Sequence, residues 1–350
     1  MTSIIIALNI TCRKQPLINI IFQNEAAAMK SNNLVWSWRN ARFTAVIATI
    51  PVIIIATGHV EAGLSLLLGA LPASIMGLPS TRKQRRKIIV IGILIGVFLM
   101  LGSFMAQWAI VAIPGMFLLA FGAALLLARR TIGIIALTIC LPLAGVGLSY
   151  QGLANSIPLA LLYIIGSVVA YGWSLCFKES KPGQPLEIPL MSRVQSRNYG
   201  LRLGLMAATA TTIGFALGFD HIGWLVGAAL FVMRPRKDIQ KLRSVGRSIS
   251  VFVGALIASW LLGQSLPPVA IASLCAVSLI TASATISSRW YISPAFTTFL
   301  VFWSVLYGDP TSTNIEYHFD ERVLGTFLGV SLAYLFGILI PNIASRLRQE

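Results

Sequence analysis

RNYGLRLGLMAATATTIGFALGFDHIGWLVGAALFVMRPRKDIQKLRSVGRSISVFVGALIAS, Arg197–Ser259, reads as consecutive apolar helices of a membrane protein. Three apolar runs, 202–219, 222–234 and 246–262, are parted by Asp220-His221 and by Arg234-Pro235-Arg236. A helix crossing the hydrocarbon layer needs about 20 residues. The outer two runs approach that length, but the middle one offers only 12 apolar residues, Ile222 to Met233. At 1.5 Å per residue these cover about 18 Å of a core near 30 Å. Either Arg234 and Arg236 snorkel to the surface, or this helix ends early against a protein-lined aqueous cavity.

The rest of the chain extends this pattern. Of its 350 residues, 56% are hydrophobic and 11% charged, and the mean hydropathy is +0.81. A soluble domain carries about 25% charged residues, so a water-soluble enzyme is excluded, along with disordered and disulfide-framework classes. The net charge of +16 raises the question of nucleic acid. The basic residues, however, sit in short clusters between apolar runs, as in the cytoplasmic loops of a polytopic membrane protein, and no nucleic-acid partner is expected. Cys12, Cys140, Cys176 and Cys275 show no C-x-x-C spacing and read as small packing residues. Residues 1–38 read as a flexible extension, with Met29 an alternative start and no secretory signal expected.

Twelve spans are expected, near 42–58, 62–78, 87–106, 108–128, 131–149, 157–177, 202–219, 222–234, 246–262, 269–287, 290–308 and 322–341. With a cytoplasmic amino terminus, 26 of the 27 basic residues fall inside. Only Arg322 lies outside, beside Glu61, Asp220, Asp309, Glu316, Asp320 and Glu321. A missed span would move every later loop to the other side. The one-sidedness therefore supports twelve spans with both termini in the cytoplasm.

A shift of 160 residues aligns the halves: Arg42 with Arg202, Thr49 with Thr209, Gly58 with Gly218, Gly63 with Gly223, Arg129 with Arg289 and Thr138 with Thr298. One deletion later, Gly166 and Ala170 meet Gly325 and Gly329. Six spans per half give both halves the same orientation, related by an axis along the membrane normal. The expected organisation is an all-α membrane protein of two parallel six-helix repeats, 39–177 and 197–341. A cytoplasmic linker, 178–196, joins them, and a tail, 342–350, follows.

Small residues four apart, such as Gly92/Gly96, Gly214/Gly218, Gly223/Gly227 and Gly325/Gly329/Ala333/Gly337, read as helix-packing faces. Pro51, Pro72, Pro114, Pro142 and Pro294 read as intramembrane kinks. Arg129 and Arg289, at matching helix ends, are either positive-inside anchors or a symmetric pair of cations flanking an anion path. Arg234 would sit at the inner mouth of that path, and Thr209 and Thr212, with Thr49 and Thr211, could offer it hydroxyls. Such hydroxyls more often bond back to the helix. His59, His221 and His318 fall in or beside outer loops with no acid at metal-ligand spacing. No metal, cofactor or catalytic role is assigned, and no HExxH, P-loop, GxSxG or kinase signature is present.

Arg197–Ser259 and ERVLGTFLGVSLAYLFG (Glu321–Gly337) resemble the fusaric-acid-resistance (FUSC) or aromatic acid exporter family. The pattern is an Arg-led first helix (Arg202), a Trp opening the second (Trp224), a basic hinge after Pro (Pro235) and an Arg before the glycine-rich third helix (Arg247). The sixth helix opens as Arg-x-x-Gly-Thr-x-x-Gly (Arg322, Gly325, Thr326, Gly329). Over 39–341 the first half shares only Arg42, Gly63 and Lys87 and lacks the sixth-helix arginine. The resemblance implies a bacterial inner-membrane protein exporting small aromatic organic acids. Its partners would be the lipid bilayer, the organic anion, and an efflux adaptor or a second copy. The linker is short, without the large cytoplasmic domain that many family members carry.

Two other readings compete. One is a non-transport scaffold subunit of an envelope complex. The other, a major-facilitator carrier, would place Gly and Asp between spans two and three, where Ser80–Lys87 reads STRKQRRK.

Overall fold

The computed structural model describes residues 34–129, 131–180, 191–288, 292–308 and 311–346, and these residues contain helices and no strand. Residues 1–33 of the expected extension 1–38, most of the expected linker (181–190), Arg289 and the end of the tail lie outside the described residues. Helical segments occur at all twelve expected places. They are α1 Trp38–Ala56, α2 Val60–Met76, α3 Lys87–Met105, α4 Ala109–Leu125, the composite α5, and α6 Leu153–Ser174. Then come α7 Arg193–Ala216, α8 Ile222–Val232, α9 Lys237–Leu262, α10 Pro268–Ala284, α11 Ser293–Leu306 and α12 Ser312–Tyr334. The composite α5 joins Thr131–Ile135, a π turn over Ala136–Cys140 and Leu141–Gly147, while α12 runs on through a π turn, Leu335–Leu339, into Ile340–Arg346.

Among the described residues, five helical stretches are long and apolar enough to cross a membrane: Trp38–Ala56, Arg82–Met105, Leu153–Ser174, Lys237–Leu262 and Ser312–Ile343. Six further apolar helices have 10–17 residues. α7 falls in neither group, because its first turns carry Arg193, Arg197 and Arg202.

The helix starts follow from local chemistry. Ser37 caps α1, Ser192 and Gln195 form a capping box at α7, and Thr311 caps α12. Each side chain satisfies an amide that the helix cannot bond internally. Several starts lie upstream of the expected spans. Helix α12 begins at Ser312 instead of near 322, and α9 at Lys237 instead of near 246. Glu321 and Arg322 are thus not outer-loop residues: both are buried within α12. Hydropathy marks only the lipid-length apolar part of a helix and misses polar turns that bury against protein.

Two prolines act otherwise than expected. Pro294 stands in the first turn of α11, where its missing N–H costs no bond. Pro142 follows directly on the π turn of α5, a local adjustment that accommodates the lost donor.

The helices of each half pack on one another and on those of the other half. Within the first six, α1 contacts α2 and α6, α2 contacts α3 and α6, and α3 contacts α5 and α6. Among α7–α12, the pairs α7–α8, α7–α12, α8–α9, α8–α12, α9–α11 and α9–α12 are in contact. The halves also interleave, α1 along α10 and α4 along α7, with α2 touching α11 and α5 touching α8. Both apolar cores therefore draw on both halves: one holds Phe43, Leu64, Ile91, Cys275 and Trp303, the other Met116, Leu141, Leu203, Leu225 and Ala333. Glycine makes the closest crossings possible. A Cβ on Gly329 of α12 would lie 2.4 Å from the Leu225 carbonyl oxygen of α8.

Candidate functional site

The short helix α8 organises the site. Its 11 residues rise about 16 Å, and ten of them are buried. A helix enclosed by protein need not match the thickness of the hydrocarbon. Surface snorkelling does not describe Arg234, which is buried and turns back so that Nη1 donates to the carbonyls of Leu230 and Met233, both at 3.1 Å. The Arg243 Nη1 donates to the Phe231 carbonyl at 3.0 Å, and the Tyr199 hydroxyl to that of Met233 at 3.3 Å. These donors satisfy the last carbonyls of α8, where the helix dipole favours cations. Arg236 is exposed and paired with Asp238 at 2.6 Å.

Further along α8, the Arg247 guanidinium of α9 lies over the Phe231 ring, 4.8 Å from its centroid. At the other end, the Arg322 guanidinium lies over the Trp224 ring at 5.0 Å, and its Nη2 donates to Thr298 Oγ1 of α11 at 3.3 Å. Arg322 is only 8% exposed, and its Nε has no hydrogen-bond partner. One turn on, the Thr326 hydroxyl, 2% exposed, also has none. Among the described residues, no carboxylate forms an ion pair with Arg322. Trp224 and Phe302, with ring centroids 6.2 Å apart, add aromatic surface. A buried guanidinium without a counter-ion is costly; an anion would use its planar fork and the nearby hydroxyls.

The neighbouring Glu321 is occupied otherwise. His221, at the amino-terminal cap of α8, donates its backbone N–H to Glu321 Oε1 at 2.6 Å, and its Nδ1 lies 3.0 Å from Oε2. The Nδ1 of His318 lies 3.4 Å from the same Oε2. The expectation that the histidines have no acid partner is thus corrected for two of them. His221 and Glu321 are 100 residues apart, which local spacing cannot register. The readable signal was His318-x-x-Glu321, three apart on one helix face.

The remaining expected site residues are dispersed. Arg202, half-buried in α7, bonds its own helix at the Asn198 carbonyl. Thr49, Thr211 and Thr212 each donate to the carbonyl four residues earlier. Thr209 is half-buried and Pro235 exposed. Gly325, like Gly329, faces Leu225 of α8. Arg129 ends the one-turn 3-10 segment Leu126–Arg129; its side chain, like the whole of Arg289, lies outside what the structure describes.

No curated protein and no solved structure matches the chain. A family model described as fusaric acid resistance protein-like matches residues 207–336. This stretch contains all of α8 and supplies His221, Trp224, Arg247, Glu321, Arg322 and Thr326 to the arrangement around it. The match does not reach the first half, where the sixth helix has no counterpart of Arg322. Over residues 207–336 this membrane protein is thus similar to the fusaric-acid-resistance-like family.

Proposed function

We propose that the protein is a transporter exporting small organic acids, aromatic ones among them, across a bacterial inner membrane. Twelve spans would place both termini in the cytoplasm. Two parallel six-helix repeats would be related by a twofold axis along the membrane normal. Contacts support that symmetry: each pair named within the first six helices has its counterpart six helices on, and α1–α10 and α2–α11 are mirrored by α7–α4 and α8–α5. Gly58 and Gly218, matched by the 160-residue shift, are both left-handed, at φ 97° and 63°, in the turns after α1 and α7. Only glycine enters that region without strain.

The observation that carries the reading is Arg322. Its buried guanidinium with a spare Nε–H lies over the Trp224 ring, with the unpartnered Thr326 hydroxyl one turn along the same helix; this suits a carboxylate attached to an apolar or aromatic body. Arg129, Arg289 and Arg234, with Thr209 and Thr212, are the other proposed path residues. The chemistry is passage, not catalysis.

The test is benzoate flux into proteoliposomes at alkaline pH, where the neutral acid does not leak. Arg322→Gln should cut flux about tenfold or more, equivalent to ~1.4 kcal/mol in the barrier, with membrane insertion unchanged. Arg322→Lys should fall between. Absence of flux of benzoate or aliphatic carboxylates through well-inserted wild-type protein would favour the scaffold reading.

A further inference from the structure

We propose that His221, His318 and Glu321 form a binding site for one divalent transition-metal ion, of which Zn²⁺ is the type. One ligand atom from each, a ring nitrogen of His221, a ring nitrogen of His318 and a Glu321 carboxylate oxygen, lies within 4.8 Å of the other two. Two imidazoles and a carboxylate are a favoured set for this ion. The separations suit it too. Bonds of about 2.0–2.1 Å in a tetrahedron place neighbouring ligand atoms about 3.3 Å apart. The two Nδ1 atoms lie 3.0 and 3.4 Å from Glu321 Oε2.

A metal ion replaces the protons that these contacts otherwise require. Two unprotonated Nδ1 lone pairs facing one carboxylate oxygen repel it unless a cation lies between them. The surroundings hold the ligands in place, as outer-shell groups do in metal sites. The His221 N–H fixes Glu321 Oε1. The His221 ring is stacked on Trp224, centroids 4.2 Å apart and planes within 9°, and His318 meets Tyr317 edge-on at 5.1 Å. The Glu321 side chain is 2% exposed, but those of His221 and His318 are 19% and 12% exposed, which gives an ion a way in. Arg322 is adjacent in sequence, yet its guanidinium is held at Thr298 and over the Trp224 ring. Three protein ligands leave one position for water or an anion. The ion would pin the amino-terminal end of α8 to α12.

The test uses the full chain, free of any affinity tag, in detergent and stripped with EDTA. Calorimetric titration with Zn²⁺ should give saturable binding of about one equivalent. Co²⁺ should give the intense visible bands of a four-coordinate ion. His221→Gln and His318→Gln should each weaken binding more than about 100-fold, the upper end of what outer-shell changes cost. His59→Gln, the remaining histidine, should change nothing. The proposal is overturned if monodisperse wild-type protein shows no saturable stoichiometric binding, or if binding survives in the His221→Gln/His318→Gln double variant. The wild-type titration and Co²⁺ spectrum decide the matter even if a variant fails to fold. Neither involves flux, so the metal site stands or falls apart from the transport reading.

Discussion

The guanidinium of Arg322 lies over the indole of Trp224, 5.0 Å from the ring centroid, joining the middle of α12 to the first turn of α8. Both residues are buried, so the attraction between cation and ring is little screened. A desolvated pair of this kind contributes about 2 kcal/mol. Trp224→Leu should therefore lower the melting temperature of the detergent-solubilised protein well beyond Trp224→Phe, which keeps a smaller ring under the cation. Equal melting temperatures for the two variants would remove the cation–ring contact from the stability of this crossing.

Gly329→Ala tests the crossing of the same two helices from the backbone side. The added Cβ would meet the Leu225 carbonyl oxygen at 2.4 Å and the Ala229 amide nitrogen at 2.9 Å, and neither can move without its helix. Overpacking of this kind costs about 1–3 kcal/mol. Gly122→Ala on α4, where no atom lies within 4 Å, should be neutral or slightly stabilising. Thermal unfolding followed by size-exclusion chromatography separates the two. A neutral Gly329→Ala would mean that α12 is free to shift off α8.

Arg85 presents a different balance. It is fully buried, and its guanidinium donates to the carbonyls of Ser174, Phe177 and Lys178, closing the end of α6. Bonds from a charged donor are worth about 1.5–3 kcal/mol each. Arg85→Gln, whose shorter amide can keep one of the three bonds, should cost roughly 3–6 kcal/mol and reduce the yield of folded protein, while Arg85→Lys, with one ammonium for three carbonyls, should fall between. Yield and melting temperature measure both.

The sequence made some of these features legible and hid others for a physical reason. The twelve helical places, the shortness of α8 and the glycine faces were readable, because apolar runs and small residues report helix length and close approach. Glu321 was assigned to a loop, and Arg322 to the outer end of a span, because their flanking residues, such as Asp320 and His318, are polar. Polar turns become helix when protein supplies partners, as Thr298 and His221 do here. The convergence of His221 on Glu321 is purely tertiary and has no local signature. Arg234 was read as snorkelling or as standing at the mouth of an aqueous cavity; its burial and its role in closing the carbonyls of α8 depend on the chain doubling back at Pro235.

The proposed topology is open to labelling. With Cys12 and Cys176 replaced, the remaining native thiols Cys140 and Cys275 are buried and silent. Single cysteines at Asn155 and Ser312 should then react with an impermeant maleimide added outside intact cells, and cysteines at Gln184 and Gln349 only after permeabilisation. Reaction at position 184 from outside would refute the placing of the linker in the cytoplasm.

The cations of the proposed path differ in what each is bonded to. Arg234 and Arg243 serve the terminal carbonyls of α8, so Arg234→Gln should lower stability more than it lowers flux. Arg322 keeps a buried Nε–H without a partner, so Arg322→Gln should lower flux more than stability. Arg129 and Arg289 are related by the 160-residue shift and would face one shared path. If they line it, the Arg129→Gln/Arg289→Gln double variant should lose carboxylate flux with insertion intact, and Arg289→Lys should be intermediate, keeping the charge but not the planar fork. If they only anchor the helices at the cytoplasmic surface, Lys should be silent and the double variant should transport normally. Flux of benzoate in proteoliposomes, read beside the melting temperature of each variant, assigns every arginine to the path or to the scaffold. Normal flux through both the double variant and Arg322→Gln would remove all three from the mechanism.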